Sequence, residues 1–228
     1  MENNSDLNQY DQWSLMMFLY RSALSKVKTK VKILQDEFTN IQKTNPIEHV
    51  TSRIKSPQSI VRKMHRQKIE VTIDNMVEFI NDIAGIRIVC SFTPDIYKIA
   101  EMISNQQDVT VLSTKDYIQN PKINGYRSYH MIVSVPIYLS NACRDVKVEV
   151  QIRTIAMDFW ASLEHKIHYK FAGNAPEFLT LQLKDCADMV AELDERMLAL
   201  NNSILKEDAV TPTYTEKDMD EDLEMLSS

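Results

Sequence analysis

Two carboxylates sit where an acidic side chain could work on a phosphate or a hydroxyl. Asp82 opens the stretch Asp82-Ile83-Ala84-Gly85-Ile86-Arg87. A carboxylate at the entry to a strand suits Mg²⁺, which takes one or two carboxylates and completes its shell with phosphate oxygens. Gly85 lets the strand bend or a ligand approach closely. Asp82 and Arg87 are five positions apart, so an ideal strand would put them on opposite faces. A bulge at Gly85, or an Asp82 lying before the strand, reconciles the two. The competing reading is a plain Asp82–Arg87 ion pair. Glu149 lies in Val146–Arg153, where valines alternate with polar residues. Period two sets Glu149 and Gln151 on one face and the valines on the other. Glu149 suits a second Mg²⁺ ligand or a general base on a hydroxyl, ordered by Lys147 and Gln151. The competing reading is the polar face of a half-buried sheet.

Between these carboxylates in type, though earlier in the chain, comes a run of bases. Arg53, Lys55, Arg62, Lys63, Arg66 and Lys68 fall within residues 53–68, which contain no acid. Ser56-Pro57 opens a helix there, with Ser56 as N-cap and Pro57 at the first helical position. Ser59, Lys63 and Arg66 then share one helical face, and Ile60 and Met64 can anchor the opposite one. Arg53 and Lys55 precede the N-terminus, where the helix dipole also favours an anion. The set reads as a triphosphate clamp. A solvated basic face or an RNA-backbone contact are the alternatives.

A third stretch, Lys122-Ile123-Asn124-Gly125-Tyr126-Arg127-Ser128-Tyr129-His130, turns at Asn-Gly and leads into a strand. It presents Tyr126 at a rim, where an exposed ring can stack on a purine while Lys122 reaches phosphate. His130 could bind phosphate or position a ribose, or serve as a structural histidine. In the helix after Thr154, Trp160 reads as core, and Glu164-His165-Lys166 has the wrong spacing for a metal site.

The elements that must position these groups are legible from periodicity. Apolar residues at helical spacing predict one or two helices over 11–43, ended by Asn45-Pro46, and another helix over 73–80. Strands are expected at 83–92, 109–113, 128–135 and 146–153, with a helix at 94–104 between the first two. Thr154 caps a helix through about Tyr169, a turn follows at 173–176, and a long helix runs from Glu177 to about Leu205. The expected fold is α+β: a mixed sheet of four or five strands flanked by helices, with long helices at both ends of the chain. The organisation is a helical region at 1–44, a core at 45–172, a C-terminal helix at 173–206 and a tail at 207–228. The terminal helices suit oligomerisation or packing within the chain.

Composition narrows the chemistry. The chain has 228 residues and three glycines, Gly85, Gly125 and Gly173. A P-loop or Rossmann turn needs several glycines close together, so side chains must hold any phosphate here. The net charge is −6, but residues 207–228 carry eight acids and one base, leaving the rest at +1. That tail reads as disordered and solubilising, or as a phosphate mimic that folds onto the basic cleft. Cys90, Cys143 and Cys186 show no metal or disulfide spacing and read as reduced thiols, Cys90 buried in a strand. No window approaches a membrane span, and the acidic N-terminus does not resemble a secretory signal. A cytoplasmic protein is expected.

Taken together, the Asp82–Arg87, Asn124–His130 and Glu149–Lys166 stretches resemble the synthetase domain of RelA/SpoT proteins. The short chain is similar to the small alarmone synthetases, the RelQ and RelP type. The resemblance is strong over 45–172 and looser in the flanking helices. It implies a nucleotidyltransferase-like mixed sheet that binds ATP and GDP or GTP side by side, the acceptor 3′-OH attacking the β-phosphorus of ATP. By position, Arg53 and Arg87 would sandwich adenine, and Lys55, Ser59, Lys63 and Arg66 would hold the ATP phosphates. Asp82 would bind Mg²⁺, and Glu149 would share it or activate the hydroxyl. Tyr126 would stack on guanine, with Lys122, His130 and Gln151 on the acceptor nucleotide. Longer relatives also hydrolyse alarmone through a His-Asp metal site. No His-Asp dipeptide occurs here, so synthesis without hydrolysis is expected. The resemblance also implies a homotetramer built through the terminal helices, with regulation by (p)ppGpp or RNA. RelQ-like members place an aromatic residue before a Val-Thr pair in their pppGpp cleft; here that position is His49, before Val50-Thr51, a departure toward the RelP side. Two rival functions are a non-catalytic nucleotide sensor or RNA-binding module, and a nucleotidyltransferase that releases pyrophosphate. Retention of both Asp82 and Glu149 separates the first rival from an enzyme.

Overall fold

A computed structural model describes residues 3–42, 44–170 and 176–210. A single helix, α1 (Asn3–Asn40), opens the chain. Its stripe of Tyr20, Ala23, Val27, Val31, Leu34 and Phe38 is buried at the helical period. That stripe packs on the sheet, and Lys26 and Lys30 pair with Asp108 to fix the helix to the loop before β3 (Thr110–Asp116). The helix ends at Asn40, before the Asn-Pro signal.

The remaining elements are β1 (Ile47–Ile54), α2 (Pro57–Arg66), α3 (Ile73–Phe79), β2 (Ala84–Cys90), α4 (Thr93–Ser104), β4 (Tyr129–Tyr138), β5 (Cys143–Thr154), α5 (Ile155–Lys170) and α6 (Glu177–Val210). The five strands form one sheet in the order β1-β2-β5-β4-β3. Only the β2–β5 pair is parallel, so the sheet is mixed as expected. The strand missed in the sequence is β1. It is an edge strand with one fully buried residue, Ile47, so its burial never alternates and the period-two signal is absent.

The alternation along β5 works as read. Val146, Val148, Val150 and Ile152 are buried in the core with Ile86 and Ile88 of β2, beneath α1 and α4. The opposite face, carrying Glu149 and Gln151, is left for the site. Cys90 is buried at the end of β2, which pushes its thiol up to about 12 and keeps it protonated.

Ser56 caps α2, its side chain accepting from Ser59 N, with Pro57 at the start. Ile60 and Met64 are fully buried beneath it. Burying each stabilises the helix seat by roughly 1.5–3 kcal/mol. Thr154 Oγ1 accepts from Met157 N and caps α5. The predicted turn at 173–176 and the acidic tail lie, but for Pro176 and the last residues of α6, outside the described residues. A second small core joins α5 to α6, where the buried Trp160 donates from Nε1 to Leu183 O at 2.9 Å.

Candidate active site

Two neighbouring cavities open on the polar face of the sheet. One, of about 230 Å³, is lined by Arg53, Gly85, Arg87, Glu149 and Gln151 among others. The second, of about 330 Å³, is lined by Lys63, Asp82, Tyr117, Lys122, His130 and Glu149 among others. Glu149 belongs to both walls, because β5 is the central strand and its polar face looks out between β2 and β4.

Asp82 lies in the turn before β2, outside the strand, which resolves its spacing from Arg87. It does not pair with Arg87. Lys55 hydrogen-bonds to one of its oxygens, and Lys63 donates to the other at 2.8 Å. Burial pushes the Asp82 carboxyl up, but the two ammonium groups outweigh that and hold it below the ordinary carboxylate range. The basic helix and the acid thus converge: α2 brings Lys63, the end of β1 brings Lys55, and both close on Asp82.

Glu149 accepts from Gln151 Nε2 at 2.9 Å, and His130 Nδ1 stands 3.6 Å from its other oxygen. Burial raises its pKa, and His130 and Gln151 reverse that against the opposing charge of Asp82, so it too lies below its ordinary value. Lys147 does not order Glu149. It reaches Glu78 O and Asn81 Oδ1, tying β5 to the loop after α3.

Tyr126 is half-buried rather than exposed. Gly125, with φ +86°, turns the chain so that its ring meets Tyr117 and His130 edge-on. Lys122 Nζ sits 4.7 Å from the ring centres of both Tyr117 and Tyr126. Arg153 Nη2 donates to the Tyr126 hydroxyl at 2.6 Å, and that hydroxyl is 2.8 Å from His130 Nε2. An arginine only donates, so the hydroxyl accepts from it.

Arg53 is exposed and Arg87 half-buried, and both line the first cavity. Ser59 and Arg66 are not brought to either wall. Ser59 bonds within the first turn of α2, and Arg66 is exposed near its end. Sequence reasoning missed Tyr117, Arg153 and Asp158. For Arg153 the signal was present, since 149, 151 and 153 continue one face of β5. Its burial, at 4% exposure, was not legible.

Mg²⁺ fits this donor set only in company. Two ionised carboxylates border one cavity, and phosphate oxygens would complete the shell. Among the described residues no cluster of three metal-ligating side chains exists to hold a metal alone.

Comparison with known proteins decides the family. The family described as "Region found in RelA / SpoT proteins" matches residues 52–174. The chain belongs to it. The GTP pyrophosphokinase YwaC of Bacillus subtilis (strain 168) is 47% identical over 194 residues, covering 85% of this chain and 92% of that protein. The crystal structure of small alarmone synthetase 2 from B. subtilis superposes with a TM-score of 0.76 at 46% identity, covering 84% and 98% of the two chains. That of small alarmone synthetase 1 from B. subtilis, bound to its product pppGpp, gives 0.79 at 38% identity, covering 85% and 98%. Within the RelA/SpoT family the chain is similar to the small alarmone synthetases and shares their fold.

Proposed function

We propose that this chain is a GTP pyrophosphokinase that moves the β,γ-pyrophosphate of ATP to the ribose 3′-OH of GDP or GTP. The observation that carries this reading is the shared wall: Glu149 borders both cavities, so a group bound in one can meet a group bound in the other. Arg53 and Arg87 flank adenine in the first. Lys55 and Lys63 turn from Asp82 to the phosphates, extended outward by Ser59 and Arg66. Tyr126, Lys122, His130 and Gln151 hold the guanine nucleotide. The 3′-OH gives its proton to a Glu149 oxygen, the 3′-oxygen bonds to the β-phosphorus, and the bond from the β-phosphorus to the bridging oxygen of AMP breaks. A carboxylate held ionised at neutral pH is ready to accept that proton. Asp82 and Glu149 would hold Mg²⁺, which when bound offsets the phosphate charge. Positioning and charge neutralisation supply most of the acceleration, which agrees with so glycine-poor a site.

The synthesis-only reading rests on the missing His-Asp dipeptide, and a cytoplasmic setting on the chain's composition. Among the described residues no helix is long and apolar enough to cross a membrane. A homotetramer, with (p)ppGpp or RNA as regulators, belongs to the same proposal. Incubation with γ-labelled ATP and GDP tests the central claim. Label in a guanine product supports it. Label confined to free pyrophosphate favours an ordinary nucleotidyltransferase and rejects it.

A further inference from the structure

Asp158 stands in the first turn of α5, mostly buried, between two guanidinium groups. Its Oδ1 accepts from Arg153 Nη1 at 3.2 Å and lies 3.1 Å from Arg87 Nη1. Its Oδ2 is 3.9 Å from His49 Nε2 on β1. Arg87 lines the first cavity. Arg153 is linked to the second through the Tyr126 hydroxyl and His130, which lines it, and its Nη2 also donates to Gln151 Oε1 at 3.0 Å while Nε donates to Ser128 Oγ at 3.3 Å. One carboxylate therefore touches a cation that lines the first cavity and a cation linked, through Tyr126 and His130, to the second. Beyond Arg153 the chain of contacts runs through the Tyr126 hydroxyl and His130 to Glu149.

We propose that Asp158 is a positioning residue that sets the donor and acceptor halves of the site together, holding Arg87 for one nucleotide and Arg153, hence Tyr126 and His130, for the other. The inference rests on the two-nucleotide reading above. Without the shared carboxylate the two guanidiniums face one another as like charges in a partly buried place, and each moves away from its partners. Arg87 is the more exposed of the two, and among the described residues its Nε has no hydrogen-bond partner and Asp158 is its only ion-pair partner. Arg153 keeps Ser128 and Gln151 but loses the contact that aims Nη2 at Tyr126. A residue that merely capped α5 would leave both cavities unchanged, and the N-cap role is already filled by Thr154.

Calorimetry tests this on the full chain, with ATP and GDP titrated separately into Asp158→Asn and Asp158→Glu. Asp158→Asn keeps the shape and removes the charge. It weakens binding of each nucleotide by about tenfold with the melting temperature little changed, and Asp158→Glu recovers part of both. Unaltered affinities, or a loss confined to one nucleotide, overturn the coupling. Binding is read without turnover, so the result stands apart from the functional reading, whose failure shows separately as a wild-type chain that forms no labelled guanine product.

Discussion

At the scale of single residues, the carboxylates decide what the site can do. Glu149 is ionised, half-buried and shared by both cavities. Replacing it with Gln keeps the side-chain volume and removes the proton acceptor. Synthesis should fall by about 10²–10⁴-fold while the circular dichroism spectrum stays that of the wild type. A variant with full activity would remove Glu149 from the reaction. Asp82 carries a second expectation. Its folded-state pKa is depressed by Lys55 and Lys63, so these pairs stabilise the protein fully above the unfolded carboxyl value of about 4 and lose that contribution as pH falls through the lower folded value. The gap in urea midpoint between wild type and Asp82→Asn should therefore narrow from pH 6 to pH 3. A gap that ignores pH would refute the pairing. These two acids and the bases around them were legible because their types and spacing carry meaning without a fold. Asp158 and the burial of Arg153 were not, because each is defined by contacts across 27 or more residues or across separate elements.

Elements place those residues, and one of them depends on a single backbone angle. Gly125 holds φ +86°, and a Cβ there would lie 2.4 Å from the Cβ of Ala187 on α6. Gly125→Ala should cost at least about 1–3 kcal/mol from the angle alone, with the clash adding to it. The turn carrying Lys122 and Tyr126 should shift, so acceptor KM rises more than ATP KM. Thermal melting and steady-state kinetics measure both, and a neutral variant would show that α6 does not press on the turn. The Asn-Gly pair announced this turn in the sequence, but nothing in the local residues announced the helix behind it. The same limit explains β1. Its pairing with β2 supplies the backbone order that its side chains do not advertise, whereas β5, buried on one face along its length, shows its period openly.

For the whole molecule, α6 is unevenly covered. Leu183, Ala187 and Asp194 face the body, while Met189, Leu193, Met197, Leu200 and Ile204 form an exposed apolar row at helical spacing. Such a row on a long helix suits a second copy of the chain, in line with the proposed tetramer. Light scattering should give four times the chain mass, and Leu193→Asp with Leu200→Asp should lower it without loss of helicity. A wild-type chain that runs as a monomer would reject the assembly.

The sequence by itself determined the secondary elements with strong periodicity, the two acids, the basic helix and the Asn-Gly turn, because each is a local pattern of residue type and spacing. Only the tertiary structure decided that Lys55 and Lys63 close on Asp82 rather than Arg87, that Tyr126 is held through its hydroxyl, and that one glutamate borders two cavities. Those facts arise from strand order, which brings β2 and β4 to either side of β5, and no local pattern encodes which strands become neighbours.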